Sequence, residues 1–149
     1  MSSNVKWKPD GYTTVSPYLV VSDAGALMDF VKSVFGAAET MRMPGPDGKL
    51  MHGEARIGDT VVMMGTVSDP AKQKHAMLHI YVEDADAVYK RALEAGATGV
   101  RPVANQFYGD RAGGFDDAFG NTWYVSTHVE DVSPEELKRR MAAQFGQPS

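Results

Sequence analysis

Two histidines and one carboxylate stand at spacings that strand geometry can exploit. His52 and Glu54 are two residues apart in the alternating segment LMHGEARI, so a strand puts both on one face, with Arg56 next along. His79 lies in a second alternating segment, MLHIYV, on the same face as Met77 and Tyr81. An imidazole beside a carboxylate can exchange protons as general acid and base. Two imidazoles and a carboxylate also form a reasonable ligand set for a divalent transition metal. His52, Glu54 and His79 are therefore the candidate catalytic residues. The plain alternative is structural, with His52 bonded to Glu54 or a neighbouring strand and His79 partnered by a tyrosine. A second constellation is Gln106, Tyr108, Asp110 and Arg111. There Arg111 can clamp an anionic or carbonyl-bearing ligand, or Asp110 and Arg111 can simply fix a turn. Tyr18, Met63 and Tyr124 fall on the mixed faces of their own strands and offer adaptable apolar contact area. The candidate ligand-binding set is Tyr18, Arg56, Met63, Met77, Tyr81, Gln106, Tyr108, Arg111 and Tyr124.

The elements that must hold these residues occur twice. Val21-Ser22-Asp23-Ala24 lies over Val82-Glu83-Asp84-Ala85 at an offset of 61 residues, and Gly58-Asp59-Thr60-Val61 lies over Gly120-Asn121-Thr122-Trp123 at 62. Each copy reads as a strand, a capped helix and further strands, and such a duplication often leaves a ligand cleft between its halves. In the first copy the pattern predicts a strand over 13–21. Asp23 caps a helix with Leu27, Phe30, Val31 and Val34 on its apolar face, and Gly36 ends it. Strands over 39–43, 50–57 and 60–66 follow, the first turning at PGPDG. In the second copy a strand over 77–82 leads into a helix capped by Asp84 or Asp86, with Ala85, Val88, Ala92 and Leu93 inward and Gly96 at its end. Segments 100–103, 106–109, 112–115 and 122–127 supply the remaining strands. Ser133-Pro134-Glu135-Glu136 is a capping box that opens a last helix, over about 133–145. The module limits are thus about 13–67 and 76–130, with a polar linker over 68–75, all within a single domain of 149 residues.

Alternation also assigns the opposite faces. Leu19, Val21, Ile57, Leu78, Ile80, Val82, Trp123 and Val125 are expected under the helices. Truncating Leu78 or Ile80 to alanine should then cost about 2–5 kcal/mol, whereas His79→Ala should alter binding more than stability.

Composition narrows the partners. The net charge is −4 with no basic run, which argues against nucleic acid. No apolar stretch is long enough to span a membrane. The absence of cysteine removes disulfides, thiolate metal sites and cysteine nucleophiles, and fits a cytoplasmic protein. Two modules of this size each bury a marginal core, so a homodimer is expected.

The repeated βαβββ order, with V-x-D opening each helix and G-[DN]-T opening the last strand of each half, resembles the vicinal-oxygen-chelate superfamily over about residues 13–130. That superfamily includes glyoxalase I, extradiol dioxygenases, fosfomycin-resistance enzymes and bleomycin-resistance proteins. PDGKLMHGEARIGDTVVMM, QFYGDRAGGFDDAFGNTW and THVEDVSPEEL resemble its PhnB-like subgroup. The resemblance implies an α+β fold: tandem βαβββ modules forming a curved, mixed eight-stranded sheet around a cleft, usually in a dimer. It also implies four metal-ligand positions, which fall here on Ser16, Met63, Met77 and Tyr124. None is a usual ligand for zinc, nickel, manganese or iron. No metal and no cofactor is therefore expected. The reading that follows is metal-independent binding of a small organic molecule in a dimeric cleft, in the manner of bleomycin-resistance proteins. The alternative is a glyoxalase-like lyase or isomerase using a displaced metal or an acid–base site at His52, Glu54 and His79.

Overall fold

The computed structural model describes residues 4–146. The chain divides into two compact units, the first ending at Ala76 and the second beginning at Met77. Each holds one helix on one four-stranded mixed sheet, so the eight strands form two sheets in an α+β architecture.

In the first unit, β1 (Tyr18–Val21) runs parallel to β4 (Thr60–Thr66). Antiparallel pairs then join β4 to β3 (Leu50–Ile57) and β3 to β2 (Ala38–Pro44). The order β1-β4-β3-β2 makes β1 an edge strand. It is shorter than the 13–21 segment predicted. Pro17 has no N–H for the ladder, and Thr13 Oγ1 bonds the Val15 carbonyl in a local turn. Helix α1 (Ala24–Phe35) starts where the Asp23 carboxylate accepts the Ala26 N–H, and ends at Gly36 in the left-handed conformation. Leu27, Met28, Val31 and Val34 are buried in its contact with β3 and β4, while Phe30 lies at the margin.

The second unit repeats the plan. β5 (Met77–Tyr81) is parallel to β8 (Thr122–His128), and β7 (Asp110–Asp116) and β6 (Thr98–Asn105) follow by antiparallel pairing. Asp84, not Asp86, caps α2 (Ala85–Glu94) by accepting the Ala87 N–H. The helix buries Ala85, Val88 and Ala92, but Leu93 is exposed. Residues 106–109 form the β6–β7 turn rather than a strand: Gln106 N–H bonds the Asp110 carbonyl and Gly109 has φ +105°. Helix α2 packs on β6, β7 and β8. The inner face of edge strand β5 is therefore only partly covered, and Leu78, Ile80 and Val82 are half-buried rather than buried as predicted.

A short 3-10 turn (Pro70–Lys72) occupies the predicted linker. Helix α3 (Pro134–Phe145) begins at Ser133, whose hydroxyl accepts the Glu136 N–H. The second half of the expected capping box is replaced, because the Glu136 carboxylate instead binds Arg139 and Arg140. Arg140 ties this helix down through Glu130 and the Phe107 carbonyl.

Candidate functional site

In the first unit the register sets Tyr18, Met63 and Glu54 in one row across β1, β4 and β3, with Val20, Gly65 and His52 in the next. The Tyr18 ring crosses from its row to the neighbouring one, and its hydroxyl lies 3.0 Å from His52 Nδ1. The crossing depends on Gly65, where a Cβ would sit 2.8 Å from the Tyr18 oxygen. His52 Nε2 is 2.7 Å from Glu54 Oε2. A carboxylate only accepts, so Nε2 carries the hydrogen and Nδ1 is left to accept from Tyr18. Glu54 is 4% exposed, and its other oxygen accepts a hydrogen bond from Tyr12. Burial opposes the Glu54 charge, yet the bonds from Tyr12 and His52 outweigh it and hold the carboxyl below its ordinary range. The same bond to Glu54 raises the Tyr12 phenol. Arg56 lies one strand step beyond, its guanidinium against Gly11 of the N-terminal arm.

In the second unit the matching rows are His79, Tyr124 and Gly114, then Tyr81, Ser126 and Ala112. His79 Nε2 meets the Ser126 hydroxyl at 2.6 Å, a hydrogen-bond partner that the sequence did not indicate. Its ring also packs on Tyr81, with centroids 5.1 Å apart. Tyr124 lies over Gly114, where a Cβ would fall 2.7 Å from its ring. Met77, Tyr81 and Tyr108 are exposed. Tyr81 donates to Asp110, which accepts His128 Nδ1 on its other oxygen, and His128 Nε2 reaches Asp131. Facing two carboxylates, His128 is raised above its usual range, chiefly through Asp110 and then Asp131. The bond to Asp110 likewise raises the Tyr81 phenol.

Two predicted ligand contacts are engaged elsewhere. Arg111 forms a two-point pair with Asp86 at the start of α2 and also reaches Asn105, so the anion it would clamp is already supplied by the chain. Gln106 accepts from Arg101 and donates to the Ala104 carbonyl, both on the preceding strand β6. His52 and Glu54 are joined in one unit, whereas His79 belongs to the other. Among the described residues no three His, Cys, Asp or Glu side chains are placed to hold a metal ion. The positions that would carry the superfamily's metal present a hydroxyl, two thioethers and a phenol at Ser16, Met63, Met77 and Tyr124. That donor set does not fit zinc, nickel, manganese or iron. A surface depression of about 430 Å³ is lined by residues 5–11 of the arm and by none of the side chains above.

Tyr12, Ser126, His128 and Asp131 were not singled out by sequence. Tyr12 sits in an arm without periodicity. His128 is legible only once the β7–β8 register sets it opposite Asp110.

A helix-backed mixed sheet in each of two repeated units, with polar and aromatic side chains on the face away from the helix, defines a duplicated βαβββ protein. The model of the Glyoxalase/Bleomycin resistance protein/Dioxygenase superfamily matches residues 11–125, and the chain belongs to that superfamily. It is 39% identical over 141 residues to the uncharacterized protein Rv0887c of Mycobacterium tuberculosis (strain ATCC 25618 / H37Rv), covering 87% of this chain and 83% of that one. The uncharacterized protein Mb0911c of Mycobacterium bovis is equally similar, with 93% of its length covered. Among solved structures, TioX from Micromonospora sp. ML1 superposes with a TM-score of 0.67 at 24% identity, over 78% of this chain and 99% of that one. The fosfomycin resistance protein FosX from Mesorhizobium loti gives 0.58 at 19% identity, over 77% and 90%. Both structural likenesses concern the fold.

Proposed function

We propose that this chain binds a small, partly aromatic organic molecule without a metal ion, as a bleomycin-resistance-like member of its superfamily and of the PhnB-like subgroup. The observation that carries the reading is the donor set at Ser16, Met63, Met77 and Tyr124, which offers contact area in place of ligation. Exposed Tyr18, Met77, Tyr81 and Tyr108 supply more such area. The proposal includes a cytoplasmic homodimer, supported by the lack of cysteine and by the half-covered face of β5. Among the described residues no helix is long and apolar enough to cross a membrane.

The test is thermal denaturation of EDTA-treated protein against small aromatic compounds and metal-free bleomycin. A ligand at a hundred times its dissociation constant adds about 2.7 kcal/mol. The expected result is stabilisation that survives EDTA and weakens in Tyr18→Ala and Met77→Ala. Stabilisation that appears only with added zinc, manganese or nickel overturns the reading, as does no response to any compound. Sedimentation at micromolar concentration tests the dimer, and a monomer mass refutes it. A second reading, acid–base chemistry at His52 and Glu54, is favoured by their hydrogen-bonded chain to Tyr18.

A further inference from the structure

We propose that Tyr18, His52 and Glu54 form a proton relay whose exposed end, the Tyr18 hydroxyl, is an activated nucleophile for small electrophiles with an ester-like carbonyl or a sulfonyl centre. A nucleophile, a base that takes its proton and a third group that orients the base must be linked at hydrogen-bond distance. The two links here measure 3.0 Å and 2.7 Å. Exposure falls along the chain, from Tyr18 at 47% to Glu54 at 4%. The phenol is thus the most open of the three groups, while the carboxylate is shielded and fixed by a second bond from Tyr12.

The reaction balances within the chain. As Tyr18 Oη attacks, its proton moves to His52 Nδ1, and the imidazolium is held through Nε2–H by the Glu54 carboxylate. With an arylalkyl sulfonyl fluoride the S–F bond breaks, fluoride leaves, and Tyr18 becomes a sulfonate ester. His52 is the base, and Glu54 is a positioning residue that acts through it.

The second unit supplies an internal control. Tyr81 is more exposed than Tyr18, at 63%, but donates straight to Asp110 with no imidazole between them. A carboxylate that holds the phenol proton directly stabilises the unreactive form. Tyr108, at 40% exposure, is a second reference.

The experiment treats the full chain with phenylmethylsulfonyl fluoride near neutral pH and quantifies labelled tyrosines by peptide mass spectrometry. Tyr18 should react at least tenfold faster than Tyr81, against the order of exposure. His52→Gln should reduce Tyr18 labelling at least tenfold, to the level of Tyr108. Glu54→Gln should reduce it and also shift the ring nitrogen resonances of His52, which in the parent protein should report hydrogen on Nε2. Should Glu54→Gln fail to fold, the more exposed His52→Gln carries the same test. Labelling that follows exposure overturns the proposal, as does a His52→Gln protein that labels normally or a His52 ring protonated on Nδ1. No bound ligand enters these measurements, so their failure leaves the metal-free binding reading standing.

Discussion

Leu19 and Ile80 hold the same place in the two copies, 61 residues apart, yet their surroundings differ. Leu19 pairs with Met64 and is 1% exposed beneath α1, whereas Ile80 pairs with Val125 and is half-buried. Leu19→Ala should leave a closed cavity, adding a cavity term to the lost transfer energy, for a cost of about 3–4 kcal/mol. Ile80→Ala removes atoms that are already partly wet and leaves a space open to solvent. Its cost should be confined to the transfer term for the covered part of the side chain, about 1–1.5 kcal/mol. At roughly 2–4 °C per kcal/mol for a chain of this size, the first variant should melt about 6–16 °C lower and the second about 2–6 °C lower. Urea titrations followed by circular dichroism should rank them in the same way. In a Trp7→Phe background, Trp123 fluorescence reports the second unit, and a mismatch between the probes would show the units unfolding separately. Equal losses in the two variants would refute the reasoning that α2 leaves β5 uncovered. If the Ile80→Ala loss also grew as protein concentration rose, a second copy would be supplying the cover.

Asp117→Ala should cost about 3 kcal/mol or more in urea titrations, because it strips acceptors from the buried Asn121 and Trp123 donors and from the Phe119 N–H, each worth about 1–3 kcal/mol when left unpaired. His128 should titrate by NMR above the unfolded value of about 6.5, and Asp110→Asn should lower it more than Asp131→Asn. Because the folded value is the higher one, the stability His128 contributes should be complete below about pH 6.5 and lost as pH rises through its folded value. Gly109→Ala should destabilise by at least about 1–3 kcal/mol in thermal melts, since φ is +105° and a Cβ would meet the Glu130 carbonyl at 2.2 Å. Gly58→Asn, at φ +59° with nothing within 4 Å, should be tolerated.

Sequence pattern revealed the parts of the fold that repeat a local rule. Asp23 and Asp84 cap their helices, Gly36 ends the first, and period-two alternation separates Gly53 and Ala55 from His52 and Glu54. It failed where burial depends on which strands a helix covers. Leu78 and Ile80 carry as apolar a pattern as Leu19 and Val21, but α2 packs on β6, β7 and β8 and leaves them half-buried. The candidate site divided in the same way. Strand spacing predicted that His52 and Glu54 share a face. The partners of Arg111 and Glu54 came from Asp86 and Tyr12, which lie 25 and 42 residues away and leave no local signal.

Comparing the copies shows which residues the duplication could change. Ala24 N–H bonds the Thr66 hydroxyl in the first unit and Ala85 N–H bonds the Thr127 hydroxyl in the second, each at 2.9 Å and each beside a capping aspartate. These groups answer a need of the backbone, because the first N–H groups of a helix have no partner within it and their loss at a packed end is costly. The face away from the helices meets no such need. There Tyr18 corresponds to His79, Met63 to Tyr124, Glu54 to Gly114 and Gly65 to Ser126, with no pair alike. The differences are concerted. In the first unit Gly65 lets a phenol cross to an imidazole on β3, and in the second the serine at that place is itself the partner of the His79 ring. Glu54 gives the first unit a shielded carboxylate, whereas Gly114 gives the second a floor for Tyr124. Equivalent scaffolds thus carry a hydrogen-bonded Tyr18–His52–Glu54 chain in one unit and packed His79 and Tyr81 rings in the other, so the duplication kept what the helix end requires and left the opposite face free to diverge.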